Sequence, residues 1–220
     1  MSIASLILGE SGTGKSTALR NLDPSQTLLI QAVRKPLPFR ATGWKVNPGD
    51  KDGKGNVFVT DEAAKIEKLM RASPHEIVVV DDFQYVLANE FMRRSDEKGF
   101  EKFTDIGRHA WNILMAASEL AEHRRVYILG HTTTDEFGRT RAKTIGKLLD
   151  EKVTVEGLFT IVLRTAVRDG QYLFLTQNNG QDTTKSPMGL FSAPAIDNDL
   201  AAVDAAITEF YGIGDLPAAA

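Results

Sequence analysis

The sequence predicts an α/β fold: a mostly parallel central sheet flanked by helices and extended on its C-terminal side by an antiparallel hairpin. Three observations carry that expectation. Short apolar, β-branched runs at 3–8, 27–33, 77–80 and 125–130 end in polar residues and alternate with segments of helical periodicity, as buried parallel strands joined by helices do. The glycine-rich string Gly9-Glu10-Ser11-Gly12-Thr13-Gly14-Lys15-Ser16-Thr17 follows the first run directly. Val153 to Thr165 and Gln171 to Thr176 read as strands joined by the turn Arg168-Asp169-Gly170.

The string at 9–17 fits the spacing G-x-x-x-x-G-K-[ST] and lies between a strand and a helix predicted from Thr17 to Asn21, the context a phosphate-binding loop requires. A triphosphate carries several negative charges that closely approaching backbone N–H groups can cradle. Gly9, Gly12 and Gly14 let the chain turn tightly and keep Cβ atoms out of the ligand's way. Glu10, Ser11 and Thr13 complete the loop. Lys15 would reach the β- and γ-phosphates, the Ser16 hydroxyl would bind Mg²⁺, and Thr17 would lie near the α-phosphate. The helix beginning near Gly14 would point its positive dipole end at the ligand. The expected cofactors are ATP and Mg²⁺.

Composition bounds the rest. At 220 residues, one domain spanning 1–214 with a short disordered tail at 215–220 is expected. No apolar run reaches the ~18 residues of a membrane span, and the N-terminus enters a strand without a signal peptide, so no membrane partner is expected. The chain has no cysteine, in keeping with a reducing cytoplasm, and four scattered histidines do not point to zinc. A net charge of −3 excludes a protein coated in positive charge, while leaving room for a local basic groove.

Along the chain, Phe39 and Trp44 sit in a Gly- and Pro-rich excursion at 34–55, where aromatics either pin a loop or stack on a base. Asp61 is placed to cap a helix running to Met70 or Arg71. The run Ile77-Val78-Val79-Val80 ends in Asp81-Asp82, carboxylates at the C-terminal edge of a central strand, where open α/β sheets bind ligands. Asp81 would hold the Mg²⁺ shell through water. Asp82 would either polarise the attacking water or cap the following helix. A helix at 84–94, a charged stretch at 93–102 and a long helix from Thr104 to Glu122 with Ile106, Trp111, Ile113, Leu114 and Leu120 inward come next. His131, at the tip of the strand 125–130, would sense the γ-phosphate or stand solvated in a loop. The basic residues Arg139, Arg141, Lys143, Lys147 and Lys152 follow. They offer a backbone contact for nucleic acid, a subunit contact or a merely solvated face, and Lys143, Lys147, Lys152 and Arg164 are candidates for a cation acting across a subunit boundary on the γ-phosphate, or equally for plain surface cations. A last helix is expected from Leu200 to Phe210.

The hairpin after residue 153, in place of a small helical lid, favours a RecA-like core among P-loop NTPases. The run Val126 to Thr165, with YILGHTTTDEFGRTRAKTIGKLLDEKVTVEGLFTIVLRT, together with GESGTGKST, VVVDDFQY and TQNNGQDTTKSPMGLF, resembles the small phage-encoded RecA-like ATPases grouped with single-strand annealing recombinases, over about residues 4 to 192. The resemblance implies an ATPase that binds single-stranded DNA, forms a homo-oligomeric ring or filament, and supports strand annealing in phage recombination or replication in a bacterial cytoplasm. Phage or host partners such as a single-strand-binding protein are implied with it. Two departures are legible. RecA-type enzymes carry a catalytic glutamate near the position of Gln31 to Lys35, where no acid stands here. Asp81-Asp82 before Phe83-Gln84 also resembles replication initiators and helicase loaders, in which nucleotide switches partner binding. A small-molecule or nucleotide kinase is the third class, with 93–102 as an arginine-bearing lid.

Overall fold

The computed structural model describes residues 1–48, 54–146, 149 and 152–213. Lys147 and the tail at 214–220 lie outside the described residues. Among the described residues the main sheet has eight strands: β1 (Ile3–Leu8), β2 (Thr27–Gln31), β3 (Val57–Val59), β4 (Ile77–Asp81), β5 (Arg125–Gly130), β8 (Ile161–Arg168), β9 (Gln171–Leu175) and β10 (Ala195–Asp197). A separate two-stranded ribbon is formed by β6 (Thr132–Thr134) and β7 (Thr140–Ala142). The helices are α1 (Ala63–Ala72), α2 (Phe83–Arg93), α3 (Glu101–Ser118) and α4 (Leu200–Phe210).

The spatial order is β10-β9-β8-β1-β5-β4-β2-β3. Pairing is parallel from β3 through to β8; β9 pairs antiparallel with both β8 and β10, so among the described strands of this sheet β9 alone runs against the rest. β5 therefore lies between β1 and β4. Period-two alternation splits the strands between two cores. Leu6, Leu8, Val78, Val80, Val126 and Ile128 face α1, α2 and α3, whereas Ile7, Val79, Tyr127, Leu129 and Leu163 face the opposite layer, which includes α4. Both faces being covered explains why β4 and β5 are apolar nearly throughout and buried at every position.

Several expectations shift. The strand expected from Val153 starts only at Ile161, because Val155–Leu158 wind into a short 3-10 turn and the Glu156 carboxylate accepts the Ala142 N–H at 2.7 Å. Asp169 and Gly170, at φ 51° and 77°, make the turn into β9. Asp61 does not cap α1; it accepts hydrogen bonds from Asn89 (2.8 Å) and Arg93 (2.6 Å), tying the entry of α1 to α2. Trp111 is 37% exposed, because Ala110, Ile113, Leu114 and Ala117 form the inward stripe of α3. Trp44 is buried edge-on against Phe39, with ring centroids 6.3 Å apart, so these aromatics pin their loop to the body. The charged stretch at 93–102 is fastened: Lys102 donates to the carbonyls of Arg94, Ser95 and Glu97. Among the described residues, no helix is long and apolar enough to cross a membrane.

Candidate functional site

Parallel register decides which residues meet. Leu8 of β1 lies beside Gly130 of β5, and Gln31 of β2 beside Asp81 of β4. Whatever follows these strands emerges on one carboxyl rim, so the loop after Leu8, the Asp81-Asp82 pair, His131 and the segment after Gln31 converge.

The loop is built without steric slack. A Cβ at Gly9 would collide with Thr165 Oγ1, and one at Gly14 would stand 2.9 Å from the Tyr172 ring and 3.1 Å from Asn198 Oδ1. Gly12 and Gly14 hold φ of 81° and 96°, which other residues adopt only under strain. Thr13 donates to the Glu10 carbonyl at 2.7 Å, and its hydroxyl lies 2.5 Å from that of Thr165 on β8. The helix that follows is one short 3-10 segment, Ser16–Asn21, rather than a long α-helix. With so few aligned peptides, a helix macrodipole would add little to the binding of an anion here, which would rest on the loop's own N–H groups and Lys15.

Lys15 is folded across the loop and donates to the carbonyls of Gly9 and Glu10, both at 2.7 Å. Burial lowers its pKa to about 8, against the pull of Asp81 and Asp82. Ser16 Oγ donates to Asp81 Oδ2 at 2.8 Å. The other Asp81 oxygen, Oδ1, is buried with no hydrogen-bond partner. Burial, followed by the neighbouring charge of Asp82, raises the Asp81 pKa. A fully buried carboxylate with one oxygen unpartnered, beside a serine hydroxyl, fits a cation with oxygen ligands. Among the described residues, no group of three or more His, Asp or Glu could hold a metal by itself. A cation here would be completed by ligand oxygens and water, as Mg²⁺ on a polyphosphate is.

No family model matches the chain, and no curated protein matches it.

Asp82 occupies the N-cap position of α2, yet its side chain makes no capping bond. Its backbone is left-handed, φ 61° and ψ 37°, and its carboxylate turns to Lys35 instead. His131 Nε2 stands 3.7 Å from Asp82 Oδ1, an electrostatic contact too long for a hydrogen bond, and its ring meets Tyr85 edge-on at 5.8 Å. Burial acts to raise the Asp82 pKa, but His131 and Lys35 outweigh it and hold the carboxyl below its ordinary range. Lys35, in turn, is desolvated by burial yet held above its ordinary range by Asp81 and Asp82. A cleft of about 250 Å³ opens between Gly12, Ser16, Lys35, Asp82, His131 and Tyr172. A larger cavity, about 800 Å³, lies between β3 and α1 near Phe58 and Leu69, away from all of this chemistry.

Sequence reasoning missed Lys35, Thr165 and Tyr172. No sequence signal marks Lys35: the adjacency of β2 and β4 that carries it to this rim is visible only in the sheet. Of the basic residues, Arg139, Arg141, Lys143 and Lys152 are exposed, whereas Arg164 faces Asp182 at 3.5 Å within the same chain.

Proposed function

We propose that the chain is a RecA-like P-loop ATPase that binds ATP with Mg²⁺ and acts on single-stranded DNA, supporting strand annealing or pairing. The observation that carries the nucleotide part is the contact of Ser16 with Asp81, whose second oxygen is free, beside a lysine-bearing glycine loop. The insertion of β5 between β1 and β4, with a hairpin continuing the sheet past β8, supports the RecA-like class. In this reading Ser16 and Asp81 hold Mg²⁺, whose chemistry is to neutralise charge on the phosphate oxygens. Lys15 leaves its two carbonyls for the β/γ-phosphates. Asp82, aimed into the cleft by its backbone, orients the attacking water once its ion pair opens. His131 registers the terminal phosphate. A cleft of about 250 Å³ is smaller than the ~300–1,000 Å³ of typical small-molecule pockets, as expected of a seat for phosphates that leaves the base outside.

The DNA part rests on the β6–β7 ribbon. It leaves the rim directly after His131, and the Lys143 N–H donates to the His131 carbonyl at 2.8 Å, so a shift at the sensor reaches the ribbon. Asp135 Oδ1 accepts from the N–H groups of Phe137 and Arg139, which shapes the tip and leaves Phe137 77% exposed beside Arg139. An exposed aromatic among cations is the combination that stacks on bases and tracks a backbone. The exposed cations on this ribbon also suit a contact with a second copy in a ring or filament.

The test is ATP hydrolysis with and without single-stranded DNA. Hydrolysis is expected to rise with DNA, to vanish in Lys15→Ala, and to lose its DNA stimulation in Phe137→Ala while basal turnover persists. A rate indifferent to DNA would discard the recombination reading.

A second reading is a nucleotide-switched loader of a replication partner. Its support is that no acid stands at the end of β2 and that Lys35 occupies Asp82, an arrangement suited to slow hydrolysis. The kinase reading gains nothing from 93–102. Arg93 is paired with Asp61, and Arg94 with Glu90, Glu97 and Asp105, so neither arginine is poised as a lid.

A further inference from the structure

We propose that Lys35 is the cation that recognises the third phosphate, parked on Asp82 when no nucleotide is bound and transferred to the γ-phosphate when a triphosphate occupies the loop. The inference rests on the reading of 9–17 as a nucleotide seat and extends it to a residue of the opposite wall.

Two lysines flank the cleft from different sides. Lys15 belongs to the loop and is held by its carbonyls. Lys35 arrives from β2, past a turn in which the Ala32 N–H donates to the Asp81 carbonyl at 3.2 Å. Its ammonium is paired with Asp82 and lies 3.8 Å from Asp81 Oδ2, the same oxygen that accepts the Ser16 hydroxyl. Lys35 and Ser16 thus approach one carboxylate from two directions, with the cleft between them.

Charge then separates diphosphate from triphosphate. A diphosphate can be held by the loop and Lys15. A third phosphate reaching farther along the cleft enters the field of two carboxylates, Asp81 and Asp82, and needs a cation on that wall. Lys35 lines the cleft and is already desolvated on one side, while its side chain is 37% exposed and so has room to swing. Pro36 follows it and fixes φ of the next residue, so the adjustment falls to the lysine side chain rather than to the loop. Release of Lys35 from Asp82 also frees the carboxylate assigned to the attacking water. Recognition of the third phosphate and exposure of Asp82 are then one movement.

Calorimetric titration with ADP and with a non-hydrolysable ATP analogue carrying a β,γ-imido bridge, each with Mg²⁺, tests this on the full chain. Lys35→Gln is expected to weaken the triphosphate analogue by about tenfold or more, the scale of one charge-assisted hydrogen bond, and ADP by less than about twofold. Lys35→Arg is expected to keep most of the preference. Should Lys35→Gln fail to fold, the double variant Lys35→Gln with Asp82→Asn keeps the rim's charge balanced, and its comparison with Asp82→Asn alone isolates the lysine, with the same selective loss of the triphosphate expected. Equal weakening of both nucleotides, or no change in either, overturns the proposal and assigns Lys35 to neutralising the acid pair. If wild type binds neither nucleotide, or Lys15→Ala leaves ADP affinity intact, the phosphate-loop reading fails as well, and this proposal with it.

Discussion

Two acid-centred clusters, one around Asp204 at the amino rim of the sheet and one around Asp81 at the carboxyl rim, solve the same electrostatic problem in opposite ways. At the amino rim, Arg125 lays Nε and Nη2 on the two oxygens of Asp204 at 3.1 and 3.0 Å, and Tyr127 donates to Asp204 Oδ1 at 2.6 Å. Arg125 Nη1 completes the set on the His123 carbonyl at 2.7 Å and on Glu76 at 3.3 Å. Asp204 is thereby satisfied at both oxygens. At the carboxyl rim, Asp81 keeps a buried oxygen without a partner, Lys15 is buried against carbonyls alone, and Asp82 holds a left-handed backbone. The first arrangement fastens α4 to the sheet. The second leaves valence unspent, as the proposed exchange of its partners for a ligand would require.

The largest effect should come from the fastened rim. Asp204→Ala strands the Arg125 guanidinium and the Tyr127 hydroxyl in a buried setting, and is expected to cost on the order of 3–5 kcal/mol in urea denaturation. A loss under 1 kcal/mol would mean that water reaches this cluster and that the contrast between the rims is false.

The next effect separates the rims by pH. Burial depresses the Lys15 pKa from 10.5 to about 8, so below pH 8 it is protonated in both folded and unfolded chains and its penalty is constant. Between about pH 8 and 10.5 the unfolded chain binds more protons than the folded one, and stability rises with pH. Relative to Lys15→Met, wild type should gain on the order of 2–3 kcal/mol across that window. Tyr127 has the opposite sign. Burial, then Asp204, raises its pKa well above the ordinary 10, so from there upward the unfolded chain ionises first and stability falls. Tyr127→Phe should lose about 1–2 kcal/mol at pH 7 with its hydrogen bond, and show a shallower decline above pH 10. Denaturation midpoints measured across pH for both variants would expose a common slope if the two rims were equivalent.

The same contrast explains what the sequence made legible. The loop at 9–17, Asp81 and His131 could be placed in advance because each directly ends, or directly follows, a parallel strand whose apolar run is unmistakable, and parallel strands align their ends. Lys35 could not, since it lies four residues past β2 and only the turn through Ala32 brings it back over Asp82. Thr165 was silent for a related reason: it sits within β8, and nothing local says that its hydroxyl will meet Thr13 across 152 positions of chain. The β6–β7 ribbon escaped because its strands are polar and three residues long, and its shape comes from the Asp135 side chain rather than from alternation. The amino rim was equally hidden, because Arg125 and Asp204 are ordinary surface residue types until α4 packs across the sheet.

The smallest predicted effect bears on the part of the carboxyl rim with most consequence. A non-glycine residue in the left-handed region carries a cost of about 1 kcal/mol, and Asp82 carries it without the compensation of a capping bond. Asp82→Gly and Asp82→Ala both delete the carboxylate and the contacts with Lys35 and His131, so their difference reports the backbone. The glycine variant is expected to be the more stable by about 1 kcal/mol. Asp82→Asn, which tolerates that conformation, should fall between them in stability while leaving Lys35 without its charged partner. If glycine and alanine prove equal, the left-handed turn is not held in solution, and Asp82 is free to swing toward the first turn of α2 as a cap. The rim would then lose the feature that points an acid at the cleft, and with it the geometric basis for assigning the attacking water to Asp82.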